Sequence, residues 1–423
     1  MLRFASSPTA DMDISNLRVA IFNYIVSQQR KEGLLIRIED TNEEQNVEGK
    51  DQEILDLLSL FGIEYSHVVY QSEQVRFHSA MALQLMHEQK AFSCFCSPAW
   101  LEKKREESKV AKKEYSYDDA CRNLPAELVI DNMSPFTIRV TRPDTDITIK
   151  DYIKGDITFS SEKIDSFVIM SQDKRPTYNF SSAVDDMLGD ISLVIRDDIH
   201  IDNTPKQEHI RASLKYDKKV EYAHLPTILN DENLSVKYLL EEGYLPSAIS
   251  NYLISLGNQS PLEIFELNDA VEWFDLNSLS KIPARFDIDA LKNINKKHLL
   301  NLEAKELSRY VGFADDEIGK LARVYLEEAA TTKELRVKIE PIFAPKVIPE
   351  EFKEQTTLMS ETIKAAPYFE EYSDFKNYII KESGLEGENF LKPLRLLLTG
   401  AQDGPDIALV YKYLKNYIGE IVK

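Results

Sequence analysis

Along the first 85 residues the hydrophobic positions alternate between two periods. In 3–25, RFASSPTADMDISNLRVAIFNYI, a short apolar start gives way to a Ser/Pro/Thr loop. Leu17, Ala20, Ile21, Tyr24 and Ile25 then recur at helical spacing. The reading is strand, polar loop, helix. EGLLIRIEDT, 32–41, predicts a strand running into a turn, and DQEILDLLSLFG, 51–62, predicts an amphipathic helix that Gly62 stops. Strand–helix alternation of this kind predicts a parallel α/β sheet.

The pattern then changes. AFSCFC reads as a short strand, followed by a helix with Ser97 as N-cap and Pro98 at its first position. From 125 to 175 the alternation has period two, in PFTIRV, DITIK, GDITFSS and SFVIM, which predicts an inserted β-rich module. Strand–helix alternation returns at PTYNFSSAVDDMLGDISLVIRDD and YAHLPTIL. After about residue 235 the chain reads as short amphipathic helices, the first two opening after Ser235 and at Pro246. The pattern therefore predicts a split α/β domain, a β-rich insertion and an all-helical C-terminal third.

Charge changes this picture little. The chain of 423 residues carries 51 basic and 71 acidic side chains, a net −20. That total opposes nonspecific nucleic-acid binding, although a local basic face can coexist with it. No apolar run is long enough to span a membrane, and Met-Leu-Arg-Phe-Ala-Ser has no signal-peptide core, so a cytoplasmic protein is expected. The three cysteines, Cys94, Cys96 and Cys121, are an odd number, which argues against a disulfide framework.

The opening stretch raises a chemical question. A strand entering a helix through a tight polar loop is a common way to hold a phosphate on a helix N-terminus, yet Asp11 and Asp13 stand where glycine or a positive donor would be wanted. The stretch resembles the first signature of the glutamyl-tRNA synthetases, R-F-A-P-S-P-T-G-x-L-H-I-G-x-x-R. Four further matches extend the resemblance. LLIRIEDT is similar to L-R-I-E-D-T, and PTYNFSSAVDD with VIRDDIHIDNTPKQ is similar to P-T-Y-x-F-x-x-x-x-D-D and V-I-R-G-E-D-H-x-x-N-T-P. PARFDIDALKNIN and FLKPLRLLLTGAQDGPDI resemble the helical C-terminal signatures, so the matches run in order from residue 3 to 407.

The resemblance implies a Rossmann catalytic domain in two halves, 1–85 and 178–234, split by an acceptor-stem-binding insertion over 86–177. A stem-contact region, 235–300, and an anticodon-binding domain, 301–423, would follow. It implies ATP-dependent ligation of L-glutamate to a tRNA that accepts glutamate or glutamine, by a monomer. Carried over by residue, Arg3 and Tyr178 would hold the side-chain carboxylate of glutamate. Arg196 would hold the α-carboxylate, and Ser7 and Glu39 the ammonium. The chemistry fits, because a dicarboxylate wants two guanidinium forks and an amine wants an acid. Structural ion pairing among Arg3, Arg37, Glu39 and Arg196 is the alternative.

The ATP side departs from the family. H-I-G-x is Asp13-Ile14-Ser15-Asn16, and G-E-D-H is Asp197-Asp198-Ile199-His200. The lysine-bearing K-M-S-K-R loop has no counterpart, since no lysine occurs between Lys219 and Lys237. Two like charges about 4 Å apart repel by roughly 4 kcal/mol at an effective dielectric near 20, so an aspartate facing a polyphosphate opposes binding. The expectation is a degenerate paralogue, a pseudoenzyme that keeps glutamate and tRNA binding while ATP and magnesium chemistry is weakened. A working ligase with non-standard ATP contacts and a pure interaction scaffold are the two alternatives.

Cys94-x-Cys96 and then, 24 residues on, Cys121 match a zinc pattern, C-x-C-x24-C-x-H, that some family members carry. The fourth position is Asn123, a poor ligand, with Asp118 and Asp119 near in sequence. Zinc binding and a remnant knuckle of packed thiols are both open readings.

Overall fold

The first six elements follow the predicted alternation: β1 (Leu2–Ser6), α1 (Ile14–Arg30), β2 (Leu34–Ile38), α2 (Lys50–Leu60), β3 (His67–Tyr70) and α3 (Val75–His87). The computed structural model describes residues 1–229 and 234–422. The helix at 14–30 is buried almost all round, with Leu17, Ala20, Ile21, Phe22 and Ile25 fully enclosed. Gly62, with φ of +70°, lets the chain turn out of α2 as expected.

The inserted segment supplies β4 (Ala91–Cys94), α4 (Pro98–Val110), α5 (Ala126–Ile130), β5 (Thr137–Val140), β6 (Ile147–Asp151), β7 (Gly155–Phe159) and β8 (Val168–Met170). The α/β pattern resumes with α6 (Tyr178–Leu188), β9 (Leu193–Asp197), α7 (Thr204–Ser213) and β10 (Glu221–Leu225). Ser97 caps α4 through its hydroxyl, which accepts the Trp100 amide.

Seven strands form the main sheet in the order β3-β2-β1-β9-β10-β6-β7. The first six run parallel, and β7 pairs antiparallel with β6. Here the structure adds something to the sequence reading. Of the inserted strands, β4, β5 and β8 build a separate antiparallel sheet, whereas β6 and β7 extend the main one through a Tyr222↔Asp151 pairing. The composition shift near 125 marked the change to β structure but carried no information on which edge those strands would join.

The chain divides into two units. The first comprises Met1–Ser235 and Leu253–Phe286, and holds all three described sheets, the third a two-stranded pairing of Ile228–Leu229 with Ala284–Arg285. The second comprises Val236–Tyr252 and the chain from 287 onward. Its described regular elements are all helical, and it packs around Leu299, Leu307, Leu321, Leu335, Ile339, Leu394 and Leu398.

Strand order sets the position of a ligand site. The chain builds outward from β1 to β2 and β3, then crosses to β9 on the other side of β1. In open α/β sheets the crevice beyond the carboxyl ends of the strands at such a reversal is where ligands bind.

Candidate functional site

A cavity of about 310 Å3 opens at that reversal. Its walls come from the ends of β1 (Ala5, Ser6, then Ser7), β2 (Arg37, then Glu39) and β9 (Ile195, Arg196, Asp197), with Asn16 from α1 and Tyr178 and Ser182 from α6. Arg3, Ser7, Glu39, Tyr178 and Arg196, separated by up to 193 positions in the chain, therefore line one space.

The three guanidinium groups of this cavity are held differently. Arg37 donates Nη1 to Asp186 Oδ1 at 2.6 Å, and Nε and Nη2 to Glu39 Oε1 at 3.2 and 3.1 Å. Arg3 donates Nε to the same Asp186 oxygen at 3.3 Å and Nη1 to the Ile195 carbonyl at 3.2 Å. Burial opposes the Asp186 charge, but Arg3 and Arg37 overcome it and hold the carboxyl down at about 2. Structural ion pairing thus describes Arg3, Arg37 and Glu39 in part.

Arg196 is different. It is 6% exposed, and its contacts are neutral: Nη1 to Gln207 Oε1 at 3.0 Å, Nη2 to Thr204 Oγ1 at 2.7 Å, and Nε to His224 Nε2 at 3.2 Å. Burial, with Arg3 adding repulsion, lowers its pKa from the ordinary value. A buried guanidinium on a cavity wall with no touching carboxylate is poised to take one from a ligand. Glu39 offers the opposite charge, since Arg37 occupies Oε1 alone of its two oxygens.

The N-terminus of α1 forms the other wall. Asp13 is its N-cap, its side chain accepting the Asn16 amide at 2.7 Å. The Ile14 amide is taken by the Leu234 carbonyl at 3.3 Å, and Ile14 itself is buried. Of the first three helical amides, only that of Ser15 has no partner among the described residues. The protein's own carboxylate and carbonyl thus take two of the three amides at this helix end.

Asp197 lines the same cavity. Burial, with Asp13 and Asp198 adding repulsion, pushes its carboxyl up to about 6. His200 also lines the cavity, its ring 5.9 Å from that of Tyr178. Burial beside Arg196 and Arg3 pushes the imidazole down to about 4, so it is neutral at pH 7. Asp198, expected alongside them, is instead tied to Lys154 Nζ and Thr227 Oγ1, each at 2.8 Å, and is not part of the cavity wall. The segment 230–233, where the lysine-bearing loop is missing from the sequence, lies outside the described residues.

Cys94, Cys96 and Cys121 converge within 4.8 Å of one another. Neither expected carboxylate joins them, because Asp119 accepts from Arg142 at 3.0 Å and Asp118 from the Ala120 amide at 3.2 Å. The group that does is the Tyr117 hydroxyl, 3.4 Å from Cys94 Sγ and 3.5 Å from Cys96 Sγ. Burial, with Cys121 and Cys94 close by, pushes the Cys96 thiol up to about 12. Three thiols and a phenol in one pocket cannot ionise together unless a cation is present, and this donor set fits a tetrahedral zinc.

The sequence reading missed Tyr117, Asp186, His224 and Asp151. Tyr117 stands four residues before Cys121, a one-turn spacing that was the available signal. His224 and Asp151 gave none, because their meeting depends on the β6–β10 pairing.

Comparison with known proteins bears on all of this. Residues 1–293 match the family model of the class I tRNA synthetases (E and Q), catalytic domain. The chain is 65% identical to a protein of Sulfurimonas denitrificans named glutamate--tRNA ligase 2, with 100% of each chain covered. It is 50% identical to a glutamate--tRNA ligase 1 of Nitratiruptor, again over 100% of each. In structure it is similar to a glutamate tRNA ligase from Elizabethkingia meningosepticum in complex with its amino acid. The TM-score there is 0.82 at 24% identity, covering 100% of this chain and 98% of that one.

Proposed function

The chain belongs to the class I tRNA synthetases for glutamate and glutamine, and from that premise we propose a glutamate-recognising ligase scaffold whose adenylation step is impaired. Arg196 receives the α-carboxylate of L-glutamate through its unused N–H groups. Arg3 and Tyr178 take the side-chain carboxylate, and the second oxygen of Glu39, with Ser7, takes the ammonium. Glutamate relatives at high identity support this substrate.

One observation carries the impairment: the Asp13 carboxylate occupies the α1 N-terminus at the Asn16 amide. The family reaction needs the glutamate carboxylate to attack the α-phosphate of ATP, with pyrophosphate leaving. That step wants donors and positive charge where charge develops. Asp197 lines this cavity, and burial, with Asp13 close enough to add repulsion, already raises its carboxyl, so a nucleotide polyphosphate meets negative charge where it needs donors. The alignments with the relatives run over 432 residues against the 423 of this chain, so this chain lacks positions that the relatives carry.

The rest of the proposal follows the family. The chain is a cytoplasmic paralogue that binds an acceptor tRNA through 86–177 and the helical 235–423. It holds one zinc ion on Cys94, Cys96, Cys121 and Tyr117. Such an ion would supply no catalysis; it would fix the knuckle beside β4. Among the described residues no helix is long and apolar enough to cross a membrane.

A working ligase is the second reading, favoured by the name of the 65% identical relative. Calorimetric titration with L-glutamate and, separately, with a non-hydrolysable ATP analogue divides the two. The proposal expects saturable glutamate binding and no nucleotide binding below millimolar concentration. Micromolar nucleotide affinity would establish the second reading in its place.

A further inference from the structure

His224 is fully buried and does not line the cavity. Its surroundings are nonetheless specific. Nδ1 lies 2.7 Å from Asp151 Oδ2, which also accepts the His224 amide at 3.0 Å. The other Asp151 oxygen accepts the Ile153 and Lys154 amides at 2.9 and 2.8 Å. Burial works against this carboxylate, but His224 and those amides outweigh it and keep it ionised below its ordinary range. Asp151 has only acceptors to offer, so Nδ1 carries the proton. Nε2 then presents a lone pair, which faces both the Thr204 hydroxyl at 3.1 Å and Arg196 Nε, a donor only, at 3.2 Å.

The donor count on Arg196 completes the argument. A guanidinium has five N–H groups. Three are committed, to His224, Gln207 and Thr204. One remains on each terminal nitrogen, and Arg196 lines the cavity, so two donors are left for a carboxylate there. Arg3 and Arg37 are held by Asp186 itself and lose much of their positive potential to it. Arg196 is held by a neutral ring whose orientation is set from behind by a carboxylate.

We infer that the Asp151–His224 pair is the positioning device of the glutamate site: it fixes the Arg196 fork toward the cavity without a carboxylate touching and neutralising it. His224 acts through Arg196, and Asp151 acts through His224 by fixing the tautomer. The inference rests on the assignment of this cavity to glutamate.

The test uses the full-length protein and L-glutamate as titrant. His224→Phe keeps an aromatic ring beside Tyr222, to which His224 is stacked at 5.7 Å, but removes the acceptor. It should weaken glutamate binding at least tenfold. His224→Gln places an amide oxygen near the Nε2 position and should stay within threefold of the unmodified protein. Equal affinity for the phenylalanine variant, or equal losses in both, would reduce His224 to a packing residue and overturn the inference. Spectra of the 15N-histidine-labelled unmodified protein give a reading that needs no variant to fold. The inference requires His224 to carry its proton on Nδ1, and a proton on Nε2 contradicts it. Absence of glutamate binding by the unmodified protein would instead remove the functional reading itself, and this inference with it.

Discussion

Asp13 accepts the backbone amide of Asn16 at 2.7 Å, so α1 begins with an anion of its own. The same side chain does two opposed things. As an N-cap it stabilises the helix, and as a carboxylate at the helix N-terminus it takes the place that a phosphate would need. The two effects separate in variants. Asp13→Asn keeps a capping oxygen and should leave the melting temperature nearly unchanged while improving nucleotide affinity. Asp13→Ala should lose about 1 kcal/mol of stability. Thermal melts beside nucleotide titration of both variants check this.

Asp197 makes a pH prediction. Its folded pKa of about 6 lies above the ordinary 3.8, so folding opposes its ionised form. The folded state binds the extra proton between about pH 4 and 6, and this contribution to stability therefore falls as pH rises through that window. Above 6 the whole penalty is present. Asp197→Asn should be more stable than the unmodified protein at pH 8, by on the order of 2 kcal/mol, and the difference should shrink toward pH 4. Denaturant midpoints at the two pH values give the answer, and a difference that grows on acidification refutes the assignment.

In the proposed glutamate site, recognition would rest on charge that the protein does not itself cancel. Arg196→Ala should weaken L-glutamate binding by roughly 2–5 kcal/mol, the range for truncating one side of a buried charge pair. Arg196→Lys should recover little of it, because an ammonium cannot keep three protein contacts and still present a fork. Calorimetry on both variants reads this directly.

The thiol cluster predicts one zinc per chain after dialysis against buffer without metal. Cys121→Ser should abolish retention, whereas Tyr117→Phe should weaken it and leave three sulfur ligands. Metal analysis by atomic emission, with melts before and after chelation, tests both. A zinc-free protein with an unchanged melt would make the cluster a packed remnant.

Much of this was legible in the chain because it is local. The alternation over the first 85 residues, the Ser97 cap and the Gly62 stop each depend on neighbours within a turn or two, and each stands as read. Arg3, Ser7, Glu39, Tyr178 and Arg196 were legible because motif resemblance carries information about distant partners that hydrophobic periodicity does not. What stayed hidden was non-local and outside the quoted roles. Asp151 and His224 lie 73 positions apart and meet across paired strands. Asp198 sits inside a matched motif, yet Lys154, from the turn between β6 and β7, draws it off the cavity wall. Tyr117 went unrecognised because a phenol is an uncommon metal-site group, although its hydroxyl reaches Cys94 and Cys96 from four positions before Cys121.

The central claim is recognition without efficient activation, and glutamate-dependent exchange of labelled pyrophosphate into ATP, with and without tRNA, tests it most directly. Loss of one preorganised donor costs about 10²–10³ in rate. Against a turnover near 10 s⁻¹, the account predicts exchange at roughly 10⁻² s⁻¹ or slower, in a protein that still binds L-glutamate by titration. Exchange at about 1 s⁻¹ or faster would contradict it, and would mean that other side chains have taken over the work of the missing histidine and lysine loop.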